Sequence, residues 1–217
     1  MKIFKIIILF FIVNTSFTFS QSNFKFGIIT NIGASSLYGN SMTNMESNVE
    51  SELKYSMKTT IGLGAKAQYS LNEKWAINLN TSYQQRGAKF DKGIYSYTPR
   101  YNFNYLDLAV GISYQTKEIL KKTKLFFNLN GGYNILLNSE RKNNFESYDL
   151  MNESKMSDFG ASLHVGLNIP RVDKDLIQLS IFANTGIQNV FGGYLLENGQ
   201  VGKNISFGLQ VGYLFGK

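Results

Sequence analysis

A single histidine occurs in the chain, His164, and it is the natural focus for any catalytic chemistry. On an alternating strand it shares a face with Ser162 and, nearer the strand's end, with Asp158. Imidazole is the usual base for activating a serine hydroxyl, so this trio has the composition of a hydrolase site. Its spacing is less persuasive: Asp158 lies two pleats beyond Ser162, and His164 falls toward mid-strand among amides. A second pair, Arg86 and Asp107, stands at facing ends of adjacent strands and predicts an internal ion pair. With Lys66 and Asp158 these inward charges nearly cancel, whereas an ion path would want one sign of charge and a wider pore. The absence of cysteine removes disulfides, thiolate metal sites and a lipoprotein anchor. Neither of the two longest loops spaces oxygen ligands around a turn glycine as a calcium site does. The reading therefore assigns no catalytic residue, no metal ligand and no cofactor, with a lumenal hydrolase or a narrow channel as the alternatives.

The elements that must position these residues are strands. Asn204 to Gly216 alternates almost without error, with Ile205, Phe207, Leu209, Val211, Tyr213 and Phe215 on one face. A period of two marks a strand with one apolar and one polar side. Seven earlier segments repeat the pattern: Phe24 to Ser36, Thr59 to Tyr69, Trp75 to Gln84, Phe103 to Gln115, Leu125 to Leu137, Phe159 to Leu167 and Ile177 to Gln188. The polar faces carry Lys66, Gln68, Asn78, Asn80, Ser82, Gln84, Arg86, Asp107, Asn128, Asn130, Asn134, Ser162, His164, Gln178, Asn184, Gln188 and Gln210. Glycines such as Gly62, Gly111, Gly160 and Gly208 share those faces and make room in a narrow interior.

The connections alternate as well. Leu71 to Lys74, Lys117 to Thr123 and Pro170 to Asp175 are short; the stretches 37–57, 89–102, 138–157 and 191–203 are long. Short turns on one side and long loops on the other fit an outer-membrane barrel with both termini in the periplasm. Aromatics suit two interfacial girdles, Tyr69, Trp75, Tyr114, Phe127, Tyr213 and Phe215 below, and Tyr83, Phe103, Phe159 and Phe207 above. A water-soluble barrel would turn its apolar faces inward instead.

Export is implied at the N-terminus. Lys2 and Lys5 precede an apolar run from Ile6 to Val13 that is too short to span a bilayer, and small residues lead up to Gln21. Residues 1–20 thus read as a signal peptide and 21–217 as one domain: an eight-stranded antiparallel up-and-down transmembrane β-barrel in the outer membrane, with the lipid bilayer as its first partner. The formal net charge of +7 includes two lysines lost with the signal. The remaining basic residues are scattered through turns, so nucleic acid is excluded as a partner. The basic turn Lys117 to Lys124 could meet inner-leaflet phosphates. Recognition of a protein or glycan would fall to the long outer loops. In the first of these, Met42, Met45, Val49 and Leu53 are spaced for a short amphipathic helix.

Several strand texts resemble the PorT-like outer-membrane β-barrel family. The most specific is Ser82-Tyr83-Gln84-Gln85-Arg86-Gly87-Ala88-Lys89, followed by Tyr105-Leu106-Asp107-Leu108, where Ala109 replaces the family's usual proline. Gly131 to Leu137 and Gly186 to Val190 are fainter echoes. The resemblance runs through the mature chain in order. It implies a small barrel with accessory work in secretion or envelope integrity, and it transfers no residue role.

Overall fold

A computed structural model describes residues 23–39, 54–91, 100–120, 122–142, 146–171, 174–192 and 202–216. The expected signal peptide and the Met42–Leu53 helix lie outside these residues. Ten strands are present among them: β1 (Phe24–Tyr38), β2 (Lys54–Ser56), β3 (Lys58–Ser70), β4 (Trp75–Asp91), β5 (Arg100–Leu120), β6 (Thr123–Lys142), β7 (Ser147–Asp149), β8 (Ser157–Pro170), β9 (Leu176–Gly186) and β10 (Lys203–Gly216). Eight of them form a closed ring in the order β1-β3-β4-β5-β6-β8-β9-β10, with β10 pairing back onto β1. All pairings are antiparallel. Closure gives every wall strand a partner on both sides, which a backbone surrounded by hydrocarbon requires.

Side-chain direction follows sequence parity. Ile28, Leu63, Leu79, Val110, Leu129, Ile181 and Leu209 point outward and are more than half exposed. Their neighbours Asn78, Ser180 and Asn130 point inward and are buried. Such a surface is stable only against lipid, because in water this apolar band would be an uncovered hydrophobic belt. No helix among the described residues is long and apolar enough to cross a membrane; the strands do that work.

The seam depends on glycine. Gly33 pairs with Gly208 across β1 and β10, and a Cβ on Gly208 would sit 2.2 Å from the Ile32 carbonyl oxygen. Side chains there would force the first and last strands apart. In β4, Gly87 has φ +134° and a Cβ on it would lie 1.9 Å from the Tyr101 oxygen, so no L side chain fits.

Short turns close the inner end. Asn72 Oδ1 accepts from the backbone N–H groups of Lys74 and Trp75 at 2.8 and 2.9 Å, an Asx turn that reverses the chain after β3. Between β8 and β9, Asp175 latches the terminal strand. Its Oδ2 accepts from the Tyr213 hydroxyl at 2.5 Å and its Oδ1 from the Gly216 N–H at 3.0 Å. These bonds, the Tyr213 hydroxyl foremost, hold the Asp175 carboxyl below its ordinary value of about 3.8. Because the folded value is depressed, the latch contributes stability above the unfolded value and loses it as pH falls through the folded one. Asp175→Asn is expected to flatten the acid limb of the stability–pH curve below about pH 4 while leaving its shape at neutral pH unchanged. Urea titrations followed through the single Trp75 check this; an unaltered acid limb would refute the latch.

The outer end is taller than the sequence pattern predicts. β5 and β6 run well past Phe103 and Leu137, and the expected loop 138–157 contains β7 and a 3-10 turn, Met151–Glu153. A register shift at Asn104/Tyr105 lets these strands twist as they rise above the wall. β9, by contrast, ends at Gly186, so Gln188 lies beyond the strand and is not a lumenal wall residue.

Candidate functional site: the lumen and its outer mouth

The lumen is packed in layers. Near the periplasmic end, Lys66 Nζ donates to Gln178 Oε1 at 2.8 Å and lies 5.8 Å from the Phe126 ring centre. Gln178 Nε2 donates to Asn168 Oδ1 at 2.9 Å, and Asn168 Nδ2 donates to Gln115 Oε1 at 3.1 Å. Leu214 and Phe126 fill the remaining space and are almost wholly buried. One layer up, Asn78 donates to Asn128 at 3.0 Å. Amides suit this role because each supplies both donor and acceptor, so a network can satisfy itself without charge.

Mid-lumen holds a cavity of about 60 Å³ whose walls include Asn31, Asn80, Asn130, His164, Phe182 and Gln210. That is room for about four to six waters, at about 10–15 Å³ each, and too little for a sugar or a lipid chain. Here the sequence-predicted pair does meet. His164 Nε2 lies 3.3 Å from Ser162 Oγ, and the imidazole stacks on Phe182 at 5.8 Å. Ser162 Oγ also accepts from Asn130 Nδ2 at 2.9 Å. Asp158 does not join them: its Oδ1 accepts from the Gln188 backbone N–H at 2.9 Å, toward the outer end. The three residues share a face without forming a relay.

Above the cavity sits the predicted ion pair. Arg86 Nη2 donates to Asp107 Oδ2, both residues being buried. Oriented by this pair, the Asn134 amide donates to Asp107 Oδ1 at 3.0 Å and accepts from Arg86 Nη1 at 3.2 Å. The guanidinium lies 5.2 Å from the Tyr105 ring, and the Tyr105 hydroxyl accepts from Asn204 Nδ2 at 3.1 Å.

The outer mouth is closed by an apolar plug that the sequence reading missed. Leu37, Ala88, Tyr101, Phe103, Tyr105, Leu136, Leu150, Val190 and Phe191 form one buried cluster, with Met151 packed against it. Phe103 was expected in the outer girdle. It instead faces inward, fully buried, its ring 6.4 Å from that of Phe191. Its parity is that of Asp107, so its place was readable from alternation, but an aromatic near a strand end suggests an interface. Tyr83, Phe159 and Phe207 do face outward as the girdle requires. The loop carrying Val190 and Phe191 is pinned by backbone bonds: Lys155 N–H to Val190 O at 2.9 Å, Val190 N–H to Gly202 O at 2.7 Å and Gly192 N–H to Glu153 O at 2.8 Å. Asn189 Oδ1 adds bonds from Phe191 and Gly202. Ile29, Phe126 and Phe182 were likewise missed as lumenal residues. Each stands next to another apolar residue, and strict alternation then sends one of the two inward.

A closed, apolar-coated barrel with a filled interior and elaborated outer loops defines an integral outer-membrane protein. The chain belongs to the outer membrane protein beta-barrel domain family, whose model matches residues 16–192. Similar solved structures are OprG of Pseudomonas aeruginosa, 12% identical over 90% of this chain and 97% of that one with a TM-score of 0.48; Neisserial surface protein A, 10% identical over 88% and 96% with a TM-score of 0.47; and Ail, the attachment invasion locus protein of Yersinia pestis, 14% identical over 90% and 100% with a TM-score of 0.43. No curated protein matches the sequence.

Proposed function

We propose that this protein is a non-enzymatic, non-conducting scaffold that presents a packed outer platform to a protein or glycan partner. The observation that carries the reading is the plug. Loop residues Leu150, Val190 and Phe191 are folded into the barrel's own core rather than left as solvated connections. Burying Leu150, Val190 and Phe191 against Phe103 holds the segments that carry them in place, which lowers the ordering cost of binding there. The resemblance of Ser82–Lys89 and Tyr105–Leu108 to PorT-like barrels supports accessory work in secretion or envelope integrity.

Conductance separates this reading from a channel. The plug, the Arg86–Asp107 layer and the Lys66–Gln178 layer lie in series, so opening one leaves the others in place. Purified barrel in planar bilayers is expected to show no reproducible single-channel steps, and a Leu150→Ser, Phe191→Ser variant is expected to stay silent. Steady ion-selective steps in the native protein would overturn the proposal. Crosslinkers placed at Tyr148 and Glu153 in intact cells are expected to capture a discrete partner.

A further inference from the structure

The geometry points to a binding strip for a phosphorylated glycolipid of the outer leaflet on the outward face of β4, β5 and β6. Lys89 pairs with Arg100 across one strand boundary, and Arg100 pairs with Lys142 across the next. Three cations therefore stand side by side in directly opposed positions. Like charges so placed repel and destabilise a sheet unless an anion lies between or over them.

Partners on the protein meet only part of this demand. Glu140, one pleat below, bonds Lys142 at 3.0 Å but also accepts from Asn102 at 2.9 Å and Ser147 at 3.2 Å. Asp149, opposite Glu140, lies on the β7 side and accepts the Met151 N–H. Both carboxylates stand on the Lys142 flank. On the other flank Asp91 follows Lys89 by two residues along β4 and pairs with Lys54 of β2, and Arg100 is exposed.

Position identifies what meets that charge. The row lies six residues above Tyr83 and Leu106, which end the apolar face on β4 and β5. At a rise of about 3.3 Å per residue and a tilt near 40° that is about 15 Å above the hydrocarbon. An outward-facing group at that height clears the headgroup layer of an ordinary phospholipid, about 5–8 Å deep, and only large lipid headgroups reach it. In the outer leaflet these are sugars bearing phosphate, and a row of guanidinium and ammonium donors is what phosphate oxygens accept.

A second feature lies on the same strands within the hydrocarbon. A shallow apolar groove lies open on the outer surface between Leu79, Val110, Gly131, Tyr133, Phe159 and Ile187. Gly131 creates it: this outward glycine stands among apolar side chains, and a Cβ there would meet nothing within 4 Å. The groove takes an acyl chain, and the cation row takes phosphate on the same lipid's sugars.

The test uses the full barrel in nanodiscs and measures its affinity for rough-type lipopolysaccharide and for the same lipid chemically dephosphorylated. Native protein is expected to prefer the phosphorylated form at least tenfold. Lys89→Gln, Arg100→Gln, Lys142→Gln together should abolish that preference, and Lys89→Arg with Lys142→Arg should keep it. Gly131→Leu, whose Cβ meets nothing within 4 Å and whose side chain occupies the groove, should weaken both lipids alike. Heat-modifiable gel migration verifies that each variant is folded. Equal binding of both lipids by the native barrel overturns the proposal. So does displacement of the lipid by soluble inositol hexakisphosphate with no effect of Gly131→Leu, which would make the row a site for soluble polyanions.

Discussion

Replacing Arg86 by alanine is expected to destabilise the barrel by about 3–5 kcal/mol, the usual cost of leaving a buried carboxylate without its partner. Asp107 sits inside the lumen, and its second oxygen accepts from the Asn134 amide. The loss comes mainly from stranding that charge, not from the worth of the pair itself. Arg86→Met combined with Asp107→Leu should therefore recover most of it, since neither desolvated charge remains. The Tyr105 ring, stacked 5.2 Å from the guanidinium, would pack against methionine nearly as well. Urea unfolding in detergent micelles, followed by Trp75 fluorescence and by gel migration of the folded form, measures both variants. A double variant as unstable as Arg86→Ala would mean that the pair orders the outer lumen in some way that apolar packing cannot replace.

Phe103→Ala is expected to cost about 3–5 kcal/mol as well, by a different route. Phe103 is wholly buried at the centre of the plug, stacked 6.5 Å from Tyr101 and set edge-on to Phe191 at 6.4 Å. Removing the ring leaves a cavity that strands β4, β5 and β6 cannot collapse into, because their pairing fixes their separation. The loop bearing Val190 and Phe191 would lose its main contact and open. Protease sensitivity after Val190 should rise in parallel with the loss of stability. Girdle residues give the contrast: Phe207→Ala, on the lipid side, exposes no loop and should leave protease resistance intact. An unchanged cleavage pattern in Phe103→Ala would show that the loop is held by its backbone bonds alone.

Taken together the two variants separate the layers of the interior. Arg86 and Asp107 close a polar storey, Phe103 an apolar one above it, and each fails for its own physical reason. The plug also accounts for the weakness of the hydrolase reading. His164 and Ser162 meet in a cavity of about 60 Å³ beneath both storeys, where a lipid or peptide substrate has no room.

Alternation by itself determined most of the wall. Leu79 outward and Asn78 inward follow from a two-residue period that runs through the long strands and breaks in β6 at the register shift, where Leu137 and Asn138 are both exposed; the closure of β10 on β1 and the Arg86–Asp107 pairing also stand as expected. The reason is that one face of each strand meets hydrocarbon and the other meets a confined polar interior, so a single-residue slip would be costly everywhere at once. What the tertiary structure alone decided is the outer end. Phe103, Leu150, Val190 and Phe191 carry no shared period, since they come from a strand tip and two loops. They form a core only because the ring of strands brings those segments over the same opening. The Lys89–Arg100–Lys142 row was hidden for a similar reason: three residues far apart in sequence become neighbours only once the register of β4, β5 and β6 is set.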